Sequence, residues 1–238
     1  MAFIHGKDTV VYWGADNYST YLNNVDTTAT ADVAETTTFG NSAKTYITGE
    51  RDGTISLGGL FDATSDAGLN TQYGASSVNV VIGHDGLDTG DRTTFTSAII
   101  TSKGISSPVG DVVAETVDLQ SKEGIWNGSV LVASAFTTTG AQGSAQDNTV
   151  PTSNGLGAFV QVTSVSGTSP TATVKIQHSA DNSTWVDLIT FSQSSSAESQ
   201  ISYVERGTTI NRYLRVFNTI GGSNTPTVNA IVGIARNN

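Results

Sequence analysis

Three carboxylates stand at positions i, i+3 and i+6 in His84-Asp85-Gly86-Leu87-Asp88-Thr89-Gly90-Asp91. Such a run can offer hard oxygen ligands to calcium, which makes Asp85, Asp88 and Asp91 the candidate metal residues. The Asp-x-Asp-x-Asp-Gly order of an EF-hand loop is absent, however. Glycine and aspartate together are also what an exposed turn between two strands requires, and the turn is the favoured reading. The three histidines, His5, His84 and His178, show no metal-ligand spacing. Asp32 with Glu35, and Glu115 with Asp118, have the look of paired carboxylates for acid–base work. Neither pair has aromatic neighbours or a basic partner in sequence, so a solvated acidic face is expected instead. The chain has no cysteine, no Gly-x-Ser-x-Gly elbow, no Walker loop and no dinucleotide fingerprint. The expectation is a protein that is not an enzyme and takes no cofactor.

One further set of side chains has a chemical use. Trp185, Tyr203 and Tyr213, with Phe217 nearby, can be read as a platform on which sugar rings stack. That reading supports an alternative function, a carbohydrate-binding β-sandwich protein for cell-surface glycans. The competing reading, which is favoured, buries Trp185 in the core of a sandwich.

The 238 residues carry 11 Lys and Arg against 21 Asp and Glu, a net charge of −10. Sequence-specific duplex recognition needs the opposite balance. Charged residues make up only 13%, whereas serine and threonine number 27 and 35. The chain is thus polar through hydroxyls more than through ions, and such a surface can pack closely on copies of itself with few charges to desolvate. The first residues lack the basic and apolar regions of a signal peptide, and no apolar run reaches the roughly 18 residues of a membrane span. A product made and kept soluble in a cytoplasm, without a membrane, is expected.

The elements that must position these groups read as strands. Short apolar or alternating runs bounded by Gly, Asn or Ser occur at 9–13, 54–60, 78–82, 93–101, 111–119, 127–136, 158–165, 171–177, 184–191, 212–218 and 227–234. One segment, 62–73, is poor in β-branched apolar residues. Asp62 or Thr64 can cap a short helix there, docked through Leu69 and Tyr73. The whole net charge falls in the first 140 residues, and residues 141–238 are neutral. Between them, 137–155 has linker composition. The expected organisation is a first domain over 1–138, a linker over 139–155 and a second, smaller β-sandwich over 156–238, all-β with one short helix.

Residues 18–62 carry a resemblance. Tyr18-Ser19-Thr20-Tyr21-Leu22-Asn23-Asn24-Val25-Asp26 leads to Asp32-Val33-Ala34-Glu35-Thr36-Thr37-Thr38-Phe39-Gly40 and Lys44-Thr45-Tyr46-Ile47-Thr48-Gly49-Glu50-Arg51-Asp52-Gly53, closing with Thr54-Ile55-Ser56-Leu57-Gly58-Gly59-Leu60-Phe61-Asp62. In order and spacing this series resembles the tail tube (major tail) proteins of long-tailed bacteriophages. The second domain, with Thr173 to Ser179, Asp181, Trp185 and Arg212 to Val216, looks like a sandwich module appended to virion proteins.

The resemblance implies a tail-tube-like β-sandwich flanked by a helix, and a structural virion protein that self-assembles into stacked, hexameric rings. DNA would pass through the lumen without specific contacts. Its partners would be itself and other tail proteins (tape measure, terminator and distal tail proteins), and its place the virion tail, assembled in the bacterial host cytoplasm. It further implies that the loop over 39–51 contacts the next ring, with Phe39, Tyr46, Ile47 and Arg51 as the contacts, that Ala2 to Lys7 form an arm ordered on assembly, and that the second domain decorates the exterior.

Overall fold

The computed structural model describes residues 6–75 and 77–237. After a single 3-10 turn at Gly6–Asp8 come β1 (Val10–Trp13), β2 (Asp16–Asn17), β3 (Leu22–Glu35), β4 (Tyr46–Leu60), helix α1 (Ala63–Gln72), β5 (Val78–Gly83), β6 (Arg92–Ser106) and β7 (Ala114–Ser121). The chain ends with β8 (Trp126–Phe136), β9 (Gly140–Asp147), β10 (Leu156–Ser179), β11 (Val186–Thr190), β12 (Glu198–Val204) and β13 (Tyr213–Arg236). The fold is all-β with one α-helix among the described residues. His5, and the expected arm before Gly6, lie outside them.

Two compact units divide the chain. Unit 1 gathers residues up to Asn17, Asn79–Phe95 and the chain from Trp126 onward, and unit 2 is Tyr18–Val78 with Thr96–Ile125. This cut differs from the charge-based one at 138. The stretch expected as a linker, 139–155, holds β9, which is hydrogen-bonded along β13 from Gly140↔Asn218 to Asp147↔Tyr213. Gly, Gln, Ser and Ala give β9 linker composition because it is an edge strand with little side chain to bury.

In unit 1, β10 and β13 run antiparallel over their whole lengths, from Leu156↔Arg236 to Ser179↔Tyr213. Both bend in the middle, where the register shifts repeatedly between Val162 and Thr171. Gly222 sits at this corner with φ +113°, and Asn224 and Thr225 follow with φ near +55°. These backbone angles favour glycine and asparagine. The bend turns one ribbon into two layers. One layer is β12–β10–β13–β8 and the other β11–β10–β13–β9. Between them lies a core of Leu156, Val160, Val174, Ile176, Leu214, Val216 and Val232, among others. The sandwich expected over 156–238 therefore also takes β8 and β9 as its fourth strands. The first layer continues through β8–β6–β5–β1–β2. A second cluster on its other face contains Phe95 and Phe159, with ring centroids 5.0 Å apart.

Unit 2 is a sheet in the order β3–β4–β7–β6 with α1 on one face. Ile55 and Leu57 from β4, Val117 and Leu119 from β7, Ile100 from β6 and Leu69 from α1 are buried. The helix lies where Asp62 and Leu69 predict it. Asp62 Oδ1 accepts from the Thr64 N–H at 2.8 Å and from the Ser65 N–H, satisfying two donors that a helix start leaves open.

Candidate functional site

Beyond Thr28 on one strand and Gly53 on the other, β3 and β4 leave the sheet as a two-stranded ribbon exposed on both faces. Its ladder runs Ala29↔Gly53, Ala31↔Arg51, Val33↔Thr48, Ala34↔Ile47 and Glu35↔Tyr46, with one bulge between Ala31 and Val33. The loop is tied by its own groups. Thr36 N–H donates to Thr45 O at 2.8 Å, and Lys44 Nζ lies 3.0 Å from Glu35 Oε2. Alternation puts Val33 and Tyr46 on one face and Ala34 and Ile47 on the other. Val33, Tyr46 and Ile47 are 65%, 53% and 58% exposed, and Phe39 at the tip is fully exposed. An isolated two-stranded ribbon is marginal in water, yet this one shows apolar groups to solvent on both sides. Phe39, Tyr46, Ile47 and Arg51 are brought together on this ribbon, outside the core of unit 2.

The face of the unit 2 sheet away from α1 is different in kind. One row crosses all four strands: Asp26 opposite Ser56, Ser56 opposite Asp118, and Asp118 opposite Ser102. Ser56 Oγ and Ser102 Oγ each donate to Asp118 at 2.7 Å. These two bonds, Ser102 first, hold the Asp118 carboxyl below its ordinary range. Asn24 donates to Asp26 at 2.7 Å, and Gln120 donates to Asp52. With Thr28, Thr54 and Thr116 beside them, the face is mainly hydroxyls, amides and three carboxylates, with Leu60 and Ile99 as its exposed apolar members. Within the unit 2 part of these strands, the lysine and arginine, Lys103 and Arg51, alternate to the opposite side.

Under α1, by contrast, Lys103 is almost buried (10% exposed) and shared between two carboxylates. It is ion-paired with Asp66 of the helix, lies 3.1 Å from Glu115 Oε1 on β7, and donates to Asn70 Oδ1 at 2.9 Å. The ammonium lowers the Asp66 pKa. Burial disfavours charge on Lys103, but Asp66 and Glu115 outweigh it and its pKa is raised. A small cleft beside this cluster is lined by Tyr18, Leu57, Leu69, Glu115 and Val117. Glu115 and Asp118 thus face opposite sides of β7 and form no catalytic pair. The sequence signal for the cluster was only an apolar alternation in β7 interrupted by Glu115.

The carboxylates of 84–91 fall in the turn between β5 and β6. Asp91 Oδ2 accepts from the Asp88 N–H at 2.8 Å and the Asp91 N–H donates back to Asp88 O. Asp85, Asp88 and Asp91 do not converge, and among the described residues no group of three acidic or histidine side chains is placed to hold a metal ion. His84 Nε2 is 3.1 Å from Thr94 Oγ1, and His178 Nδ1 accepts from the Asn211 N–H.

The aromatic trio is split. Tyr203 stacks on Trp126 at 5.5 Å, against the β12–β10–β13–β8 layer. Trp185 and Tyr213 belong to the other layer, with the Arg215 guanidinium 4.1 Å from the Trp185 ring and that of Arg212 4.9 Å from Tyr213.

No family model matches the chain, and no curated protein does. Among solved structures it is similar to a chain of the virion of a native gene transfer agent particle, at 12% identity and TM-score 0.44, over 52% of this chain and 97% of that one. It is similar also to the SPP1 tail tube, at 13% identity and TM-score 0.44, over 54% of this chain and 81% of that one. Likeness to the SPP1 Dit protein, described as a hub adsorption apparatus of phages infecting Gram-positive hosts, spans 95% of this chain and 98% of that one, at 9% identity and TM-score 0.40. No helix among the described residues is long and apolar enough to cross a membrane.

Proposed function

We propose that this chain is a structural protein of a bacteriophage tail, built to assemble with copies of itself into stacked hexameric rings that form a DNA-conducting tube. The observation that carries the reading is the β3–β4 ribbon. It exposes Val33, Phe39, Tyr46 and Ile47 on a hairpin that buries nothing of its own, and exposed apolar clusters of this kind are contact surfaces. The ribbon coincides with the segment that resembles the inter-ring loop of tail tube proteins. In unit 2, β3 and the 98–106 part of β6 are the outer strands of the sheet, and such edges join when subunits close a ring. The row Asp26, Ser56, Asp118, Ser102 suits the lumen wall, where carboxylates repel DNA phosphates and hydroxyls offer no lasting hold. Tape measure, terminator and distal tail proteins complete the set of partners, in a virion tail assembled in the host cytoplasm.

Negative-stain electron microscopy of the purified protein, with mass photometry on the same sample, tests this. Rings or striated tubes with a central hole are expected as concentration rises. A dispersed species near 24.7 kDa at every concentration, also after addition of sonicated tail fragments as seeds, overturns it.

A further inference from the structure

The outward face of the β11–β10–β13–β9 layer carries a group whose bonding capacity the protein does not use. Outward positions of an exposed sheet are commonly Thr, Ser or Lys. On β13 they are Tyr213, Arg215 and Phe217, and Trp185 comes up beside them from the turn before β11. The Arg215 guanidinium lies 4.1 Å from the Trp185 ring centroid and 5.9 Å from that of Phe217. Its Nε donates to Gln177 Oε1 at 2.9 Å. Gln177 Nε2 in turn donates to Asp187 Oδ1 at 2.7 Å, and Lys175 Nζ donates to Asp187 Oδ2 at 2.6 Å. Of the two other cations here, Arg212 is already matched to Asp147 through Nε and Nη2 at 2.5 and 2.6 Å. Lys175 is likewise matched to Asp187. Arg215 is the exception, since its two terminal amino groups meet no acceptor among the described residues. The row is therefore positive by one charge at the guanidinium, whose fork is held rigid by an amide on one side and an indole below.

We propose that this face binds an acidic saccharide, a pyranose carrying a carboxylate. The carboxylate takes the two free arms of the Arg215 fork in bidentate geometry. The sugar's C–H face lies along the Trp185 and Phe217 edge of the site, and vicinal hydroxyls bond to Asp187 and Gln177. An acidic peptide is the poorer occupant, because its carboxylates would meet Asp187 as like charge and its backbone would find no free strand edge on the face of a sheet. Tyr203 has no part in this site. The inference concerns unit 1 alone and stands or falls apart from the tail tube reading.

Calorimetric titration of the full chain tests it, with three hexameric probes at the same ionic strength: a hyaluronan hexasaccharide (alternating uronic acid and N-acetylhexosamine), chitohexaose as its neutral counterpart, and hexaglutamate. Saturable binding of the hyaluronan probe is expected, weakened about tenfold or more by Trp185→Ala and by Arg215→Lys, which keeps the charge and removes the fork. Far-UV circular dichroism of both variants should match the parent. Equal binding of chitohexaose or of hexaglutamate, absence of binding by all three, or insensitivity to either substitution each overturns the proposal.

Discussion

At the scale of single residues the ion cluster around Lys103 is structural. Lys103 lies between α1 and the sheet of unit 2, serving Asp66 on the helix and Glu115 on β7. Removing one partner of a buried charged group leaves the rest uncompensated, which costs more than the pair contributes. Lys103→Met should therefore lower the melting midpoint at neutral pH by roughly 5 °C or more, since the substitution strands Asp66 near Glu115. The pH dependence has a definite sign. The Asp66 pKa is lowered, so its contribution is complete above the ordinary carboxylate range and is lost as pH falls below about 4. The Lys103 pKa is raised, so its contribution is complete below the ordinary lysine value and is lost only as pH climbs past about 10. Thermal melts of parent and variant should differ most between these limits and draw together in acid. A gap that persists unchanged at pH 3 would show that packing of the lysine stem, and not its charge, holds the helix.

At the scale of elements the β3–β4 ribbon lets the proposed assembly be tested apart from folding. Ile47→Asp adds a charge at an exposed position beyond the last buried residue of β4. It should leave the melting midpoint of the unassembled protein within about 2 °C of the parent while abolishing rings and tubes in the microscope. A large loss of stability would instead place Ile47 in a monomer core. The same ribbon explains what the sequence hid. The helix over 62–73 and most core strands were legible because each buries one side and so alternates, as Ile55, Leu57 and Gly59 do. β3 was not, because Asn23, Asp26, Thr28, Thr30 and Asp32 serve a strand with almost nothing to bury in the monomer. β9 passed as a linker for a related reason. Its Gly-Ala-Gln-Gly-Ser-Ala run pairs by backbone and contributes little to the core. Strand periodicity reports burial, and elements whose faces are reserved for solvent or for partners leave no period to read. Trp185, Tyr203 and Tyr213 failed as a group for a different reason. The folding of β10 and β13 into two layers sends Tyr203 to one layer and the others to the second, and that corner is written only in glycines, prolines and positive φ angles.

At the scale of the whole molecule, charge placement is the property on which the proposed conduit role turns. The chain's net charge of −10 arises in its first 140 residues, and the fold sorts it further, setting Asp26, Asp52 and Asp118 on the helix-free face of unit 2 with Lys103 on the other side. As the wall of the proposed lumen, this face would hold DNA off by repulsion over about 10 Å at ordinary ionic strength, and its Ser and Thr hydroxyls would form bonds too weak to arrest a moving strand. Reversing the sign converts the wall into a binding surface. In a variant carrying Asp26→Lys, Asp52→Lys and Asp118→Lys, each assembled subunit gains three cations in place of three anions. Short duplex DNA should then bind with an affinity that falls with salt at a log–log slope of about −3 per engaged subunit, whereas the parent should show no binding at about 50 mM salt. Asp26→Lys alone, at an exposed position whose side chain accepts from Asn24, should give a weaker version of the same effect and guards against misfolding of the triple variant. Fluorescence anisotropy across a salt series measures both. Binding by the parent at low salt would mean that some other, cationic surface meets the DNA, and the assignment of this face to the lumen would fail.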